Sequence, residues 1–189
     1  MKGKGLMAAV LFVALSVSGA AFCADEVEVE LVGFLGHLPA GGVRLPPSAA
    51  TTARLEVPNE QGGARVAFTL EFTPRTEFAR GSDRLRNDQL VVVEGVLGPG
   101  RLWVRRIQEV DIAEYAGRLA LRAGSLDLPV AADRLIEIVL DGATTLPVTF
   151  LLTPRTSSRQ SKLNDGQPVT IAVVTGRRVV VAIEATQPR

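Results

Sequence analysis

The sequence predicts an all-β protein built from two tandem, small, barrel-like modules, each with five to six strands. Three observations support this prediction. Most apolar segments are short and rich in Val, Leu and Ile, glycine-containing turns separate them, and one ordered set of motifs occurs twice along the chain. The chain has 189 residues, of which 47% are hydrophobic and only 5% aromatic, so each module is expected to bury an aliphatic core.

The repeat is clearest at one tetrapeptide, Thr-Pro-Arg-Thr, which occurs at residues 73–76 and again at 153–156. Matching residues precede and follow it in the same order. They pair as Glu30 with Glu114, Gly33 with Gly117, Leu35 with Leu119, Leu55 with Ile136, Leu85 with Leu163, and Ile107 with Ile183. The spacing between equivalents shrinks along the chain. A duplicated module that lost a few residues from the surface turns of its second copy would show this pattern.

Short β-branched segments predict the strands. They lie at 26–31, 53–57, 64–73, 89–96 and 101–110 in the first copy, and at 112–122, 135–140, 146–153, 168–175 and 177–185 in the second. Pairs such as Gly41-Gly42 and Asp165-Gly166 mark turns between them. About five strands joined by tight turns favour a closed sheet, because closure removes exposed edges. We therefore expect each module to resemble an oligonucleotide-binding (OB) barrel or a similar rolled sheet.

One segment has two interpretations. Residues 112–122 are rich in Ala, Leu, Glu and Arg and, taken alone, fit a short helix with Ile112, Tyr115 and Leu119 on one face. The equivalent segment of the first copy, 26–31, alternates charged and apolar residues with the period of a half-buried strand. The repeat therefore predicts that both segments are strands.

The N-terminus has the layout of a secretory signal peptide. Lys2 and Lys4 precede an apolar run over 6–17 that is short for a membrane span, and small residues follow, so we assign 1–23 as a signal peptide with cleavage within 21–24. Phe22 stands where a lipoprotein signal needs a small residue, which argues against a lipid anchor at Cys23. The mature protein is then expected to be periplasmic or secreted, with no transmembrane anchor.

The domain boundaries follow from the repeat: a first β-module over 24–110 and a second over 111–189. No Pro/Ser-rich linker separates them, so the modules are expected to pack against each other. Loss of Lys2 and Lys4 with the signal peptide changes the formal net charge from +1 to −1. This near-neutral total does not favour nucleic acid as a partner.

The motifs of both copies resemble an exported bacterial family called domain of unknown function 5666. In the first copy the resemblance is carried by Thr73 to Phe78, Leu85, Val91 to Gly95 and Gly100 to Ile107. In the second copy it is carried by Thr153 to Thr156, Leu163, Gly166, Val169, Ile171 and Val180 to Ile183. The resemblance implies a small β-module, often in tandem, in envelope proteins of unassigned role. It implies no catalytic residue.

The residues do not form a recognisable catalytic or metal-binding set. His37 is the only histidine and lies where a strand enters a glycine-rich turn, which favours a structural role. One histidine and one cysteine are too few for a typical zinc or copper site. Asp and Asn residues at 83, 87, 88, 164 and 165 are more typical of turns than of a calcium loop. No catalytic residue, metal ligand or cofactor is therefore assigned.

The remaining feature is a tryptophan among arginines. Trp103 lies between Arg101 and Arg105, and a barrel surface of this kind could stack a base or sugar while arginines hold anions. For Trp103 we favour packing in the core or in an interface over a role as a ligand platform. For Arg75 and its equivalent Arg155 we favour hydrogen bonds to carbonyl groups at one barrel end, with anion binding as the alternative.

The sequence therefore predicts an exported, non-enzymatic envelope protein that acts as a binding or assembly module, with another envelope protein or a second copy as its partner. The first alternative is a barrel that binds an oligosaccharide or polyanion through Trp103, Arg101, Arg105, Arg75 and Arg155. The second alternative is a hydrolase.

Overall fold

The computed structural model describes residues 27–121, 124–142 and 146–186, and these residues form fifteen strands and no helix. The predicted signal peptide, with Cys23, lies outside the described residues. The strands of the first module are β1 (Val27–Gly36), β2 (Val43–Arg44), β3 (Thr51–Val57), β4 (Val66–Phe72), β5 (Glu77–Phe78), β6 (Arg84–Leu85), β7 (Leu90–Gly98) and β8 (Arg101–Glu109). Those of the second are β9 (Ile112–Ala120), β10 (Ser125–Asp127), β11 (Arg134–Leu140), β12 (Val148–Leu152), β13 (Lys162–Asn164), β14 (Pro168–Val174) and β15 (Val180–Ala185).

The first module is a closed barrel of five main strands in the order β4-β3-β1-β7-β8, with the short β5 added beside β8. Neighbours in this row are antiparallel. The barrel closes where β4 pairs with β8 in parallel, with Leu70 opposite Leu102 and Glu71 opposite Trp103. Closure leaves the main strands without a long unpaired edge.

The second module repeats this order as β12-β11-β9-β14-β15. Its end strands meet through a parallel bridge between Leu151 and Val179, and a second parallel bridge joins Ser157 to Ala182 in the position of β5. In each module the first three main strands form an antiparallel meander, and the third main strand meets the fifth in parallel. This is the Greek-key arrangement of an OB barrel. The predicted all-β fold is confirmed. The prediction of two barrel-like modules is confirmed in part, since the first module is a closed barrel and the second is a separate five-stranded sheet whose end strands meet only at isolated bridges.

Each module has its own aliphatic core, because alternate residues of the main strands point inwards. The largest fully buried side chain of the first core is Phe72, which packs with leucines such as Leu35, Leu55 and Leu102. The second core contains Ile136, Ile138, Leu163 and further aliphatic residues. A small sheet of two strands lies beside each barrel, β2 with β6 and β10 with β13, and adds Leu85 and Leu163 to the cores.

The segment with two interpretations is a strand. It is β9, which pairs with β11 on one side and β14 on the other, as β1 does with β3 and β7. Tertiary pairing therefore outweighs the helix propensity of its Ala, Leu and Glu residues. Five strands of two or three residues, namely β2, β5, β6, β10 and β13, were not predicted, because so few residues show no periodicity.

The repeated glycines of the first strand of each module mark a close approach of backbones. A Cβ on Gly33 would lie 2.8 Å from the carbonyl oxygen of Glu56, and one on Gly117 would lie 2.5 Å from that of Val139. Both glycines lie where the pairing of the first main strand with the second begins, so a side chain there would push the two strands apart. The pairing of Gly33 with Gly117 in the sequence thus reflects barrel geometry.

The repeated Thr-Pro-Arg-Thr turn follows the third main strand of each barrel, and hydrogen bonds attach it to the fifth main strand. In the first module, Thr76 Oγ1 accepts from the Thr73 backbone N–H at 2.9 Å and donates to the Val104 carbonyl at 2.9 Å. In the second, Thr156 Oγ1 makes the same two bonds, with Thr153 at 2.9 Å and with the Val180 carbonyl at 2.8 Å. The last threonine therefore satisfies two buried backbone groups, while the arginine before it is free to reach outwards.

Candidate functional site

The two modules pack against each other through an apolar cluster. Leu151, Val174 and Val179 of the second module are at most 3% exposed, although they point away from that module's own core. Val181 extends the same surface, and we refer to Leu151, Val174, Val179 and Val181 with Arg155 as the docking face. It contacts Val32, Leu90, Val92 and the junction residue Val110. The junction therefore belongs to the interface, and a free linker does not separate the modules.

Arg155 lies at the edge of this interface and contacts the first module. Its guanidinium is 3.2 Å from Glu56 and 2.8 Å from Asp88, and its Cζ atom lies 4.7 Å from the centre of the Phe34 ring. The contacts are with carboxylates and an aromatic face, whereas we expected hydrogen bonds to barrel-end carbonyls. Arg155 thus joins the second module to the first by a charge-assisted contact and a cation–π contact.

A second arginine crosses the interface in the opposite direction. Arg65 of the first module binds both carboxylate oxygens of Asp133 in the second, at 2.6 and 3.0 Å, and lies 3.4 Å from Glu56. The Asp133 side chain is only 5% exposed. The hydrogen bond with Asp133 raises the pKa of Arg65 against the opposing effect of burial. Because both partners are largely removed from water, each depends on the other for charge compensation.

The electrostatics of the interface centre on Glu56. Burial acts to raise the pKa of this carboxyl, but the hydrogen bond and charge of Arg155, with the charges of Arg54 and Arg65, outweigh burial and lower the pKa below its ordinary 4.5. A carboxylate whose pKa is lower in the folded state than in the unfolded state stabilises the fold fully at pH values above its unfolded pKa. This stabilisation is lost as the pH falls through the pKa of the folded state.

We therefore predict that acid weakens the interface through Glu56. Between about pH 6 and about pH 3 the free energy of unfolding should fall more in the wild type than in Glu56→Gln, because the variant has no carboxylate to protonate. Glu77→Gln, at an exposed position, is the matched control and should follow the wild type. Denaturant unfolding at each pH measures the difference. A parallel pH profile for Glu56→Gln and the wild type would contradict the prediction.

Trp103 lies on the outer surface of the first barrel. Its strand neighbours Leu102 and Val104 point into the core, so Trp103 points outwards and is half-buried. The indole covers Gly98 of the β7–β8 hairpin, where a Cβ would lie 2.3 Å from the indole Cζ3 atom. The packing that we favoured for Trp103 is thus packing on the hairpin surface rather than in the core.

Trp103 is the centre of a row of outward side chains that crosses five strands. The row runs Thr52, Glu71, Trp103, Val96, Glu28, and each member is paired with the next in the strand register. We refer to Glu71, Trp103, Val96 and Glu28, with their partners Arg101 and Arg105, as the Trp103 face. Arg101 shares the outward side of β8 with Trp103 because residues two apart on a strand face the same way. Arg105 is the extra residue of a bulge in β8, and its pair with Glu28 places it on the same surface.

The arginines of this face differ in their partners. Arg101 lies 2.7 Å from Glu71, and Arg105 pairs with Glu28. Arg75 is exposed in the Thr-Pro-Arg-Thr turn, which Thr76 holds beside β8 at Val104. The structure therefore brings Arg101 and Arg105 to the surface that carries Trp103, and Arg75 lies in the adjacent turn. Arg155 lies apart from them in the interface between modules.

The Trp103 face and the docking face occupy equivalent positions on their barrels. The corresponding row of the second module runs Leu135, Leu151, Val179, Val174, Ile112, so Val179 takes the place of Trp103. In this register Leu55 is equivalent to Ile138, so the pairing of Leu55 with Ile136 expected from the sequence is wrong by two residues. Arg155 likewise corresponds to Arg75. One module thus uses this face to bind its neighbour, and the other module leaves it open among the residues that the structure describes.

The other residues weighed from the sequence form turns and surface contacts. Asp88 adopts a left-handed backbone conformation with a φ of 65°, matching Gly166 at 72° in the second module. Asn87 and Asp165 accept hydrogen bonds from backbone N–H groups, each at 2.8 Å. His37 follows the last residue of β1, with a φ of 59°, and borders a shallow cleft with Thr52, Arg54 and Thr69.

Sequence reasoning did not identify Phe34, Arg65, Glu56 or Asp133 as functional. Their contacts across the modules join residues 68 to 121 positions apart in the sequence, a separation that no local pattern records. Within the described ranges, no helix is long and apolar enough to cross a membrane, and no cluster of three potential metal ligands occurs. No protein-family model, curated protein or solved structure matches the chain. The resemblance to domain of unknown function 5666 stays a prediction from the motifs.

Proposed function

We propose that the chain is an exported, non-enzymatic binding module of the bacterial envelope, and that it presents the Trp103 face of its first module to another envelope component. One observation carries this proposal. The second module binds its neighbour through the face that corresponds to the Trp103 face, and the first module carries the chain's only tryptophan there, without a covering module. A partly exposed aromatic ringed by polar groups is typical of binding surfaces.

Export rests on the signal peptide at 1–23, and the resemblance to domain of unknown function 5666 supports an envelope role. The two modules act as one unit in this proposal, because the docking face and the two arginine contacts fix the second module on the first. The second module then serves as a support rather than as a second binding site. A protein partner or self-association stays a prediction from the sequence.

Photo-crosslinking in intact cells tests this function. A diazirine-bearing residue placed at Arg75, with Trp103 intact, should form a specific adduct larger than the chain. The same residue at Lys162, an exposed position on the second module, should not. Trp103→Ala should abolish the adduct from position 75. Equal adducts from both positions, or an adduct that survives Trp103→Ala, would count against the proposal, as would no adduct at all.

A further inference from the structure

We infer that the Trp103 face binds an uncharged saccharide, with one sugar ring lying on the indole of Trp103. This inference rests on the proposed function, because it names the ligand class of the same surface. It follows from how the face differs from its counterpart in the second module, from the pairing of its charges, and from the small apolar area that it offers.

The two equivalent rows differ in polarity. The five members of the second module's row are all aliphatic, and the central three are buried against the first module. In the first module, the positions of Leu135, Leu151 and Ile112 carry Thr52, Glu71 and Glu28. An apolar partner surface such as Val32, Leu90 and Val92 would remove Thr52 and the ion pairs of Glu71 and Glu28 from water without offering them new hydrogen bonds, which is unfavourable. The ligand of the Trp103 face must therefore offer polar groups around an apolar centre.

The apolar centre is small. An aromatic side chain buries about 150–250 Å² when it is covered, whereas a stable protein interface needs about 800 Å² on each partner. Val96 adds little, because it is already only 6% exposed. One indole does, however, match the size of a sugar ring, whose C–H groups can lie against the electron-rich aromatic face while its hydroxyl groups point outwards.

The charges of the face are largely compensated. Arg101 is paired with Glu71, and Arg105 with Glu28, so two glutamates balance the two arginines of the face. A polyanion would be attracted by these arginines but repelled by the adjacent carboxylates, so it gains little from the face. Neighbouring hydroxyl groups of a sugar, by contrast, both donate and accept. They can bond to a carboxylate and a guanidinium at the same time, and these side chains are 21–76% exposed and so within reach of a ligand.

Gly98 gives the indole a fixed orientation. Because glycine has no Cβ, the six-membered ring of Trp103 can pack directly on the hairpin, with Cζ3 and Cη2 over the Gly98 position. A side chain held in this way loses little further entropy when a ligand stacks on it. The platform therefore exists before the ligand arrives.

Fluorescence titration of the purified two-module chain tests the inference, because Trp103 is the only tryptophan. The neutral probes are maltohexaose, cellohexaose and chitohexaose, and the anionic probes are heparin and polyphosphate. At least one neutral probe should shift the emission saturably, with an affinity that is nearly the same at about 50 and about 500 mM salt. By calorimetry, Trp103→Ala should bind that probe about tenfold more weakly, and Trp103→Phe should fall between the two.

Glu71→Gln separates the two ligand classes by the direction of its effect. The amide can still bond to a hydroxyl group, so saccharide binding should weaken by a few-fold, whereas loss of the negative charge would strengthen the binding of a polyanion. Circular dichroism verifies that each variant folds. The inference is overturned if heparin or polyphosphate binds and Glu71→Gln tightens that binding, or if no neutral probe shifts the emission. An adduct from position 75 in cells would in that case still support the binding function, with a ligand of another class.

Discussion

Replacing Asp133 with alanine should lower the free energy of unfolding by about 3–5 kcal/mol, the largest polar effect that we expect in this protein. Asp133 binds Arg65 through both carboxylate oxygens, and its side chain is only 5% exposed. The substitution leaves the guanidinium of Arg65 in the interface with Glu56 as its remaining partner, 3.4 Å away. Because the pair joins the two modules, the loss should be accompanied by weaker docking.

Asp127→Ala is the matched control for Asp133→Ala, because Asp127 belongs to the same module and is exposed. Its free energy of unfolding should stay within about 0.5 kcal/mol of the wild type. Urea unfolding followed by circular dichroism gives both values. Equal losses for the two alanine variants would show that the Arg65–Asp133 pair does not stabilise the protein.

The second large effect is expected from Leu151→Ala, which should cost about 2–5 kcal/mol. Leu151 is fully buried, yet it belongs to the cluster between the modules rather than to the core of the second module. Truncation removes apolar contacts with the first module and leaves a cavity between two rigid barrels that cannot easily collapse. The cost should therefore appear as loss of docking as well as loss of stability.

Leu146→Ala is the matched control, because it makes the same leucine-to-alanine change at an exposed position. Leu146 is 71% exposed, so its removal should change the free energy of unfolding by less than about 0.5 kcal/mol. Limited proteolysis adds an independent readout, since cleavage near Val110 should be faster in Leu151→Ala than in either the wild type or Leu146→Ala. Unchanged cleavage and stability in Leu151→Ala would contradict the packing described for the interface.

Much of the fold could be predicted from the sequence, because its main strands are long enough to show a period. The equivalence of 112–122 with 26–31 was decisive, since it predicted a strand at β9 where local composition favoured a helix. The two-residue strands could not be predicted in this way. Pairs such as Val43–Arg44 with Arg84–Leu85 form because a distant segment lies opposite them, and no local pattern records that.

The candidate site was predicted in part. The sequence grouped Arg101 and Arg105 with Trp103, and the structure has all three on one surface, although a bulge in β8 rather than simple alternation places Arg105 there. The repeat also made Arg75 and Arg155 equivalent, but it could not show that their surroundings differ. Arg155 meets Phe34 and two carboxylates only because the second module docks on the first. The repeat predicts the strands and turns that the two modules share. It cannot predict that docking gives equivalent residues different contacts.

The docking of the modules on each other determines which of the two equivalent faces stays open, and a distance measurement between the modules tests it most directly. Spin labels at Thr69 on β4 and Lys162 on β13, both exposed, report on one barrel each. Pulsed electron paramagnetic resonance should give a single narrow distance distribution in the wild type and a broader one in Leu151→Ala. A broad distribution in the wild type would show that the barrels move independently, and would contradict the rigid interface and the distinction between the Trp103 face and the docking face.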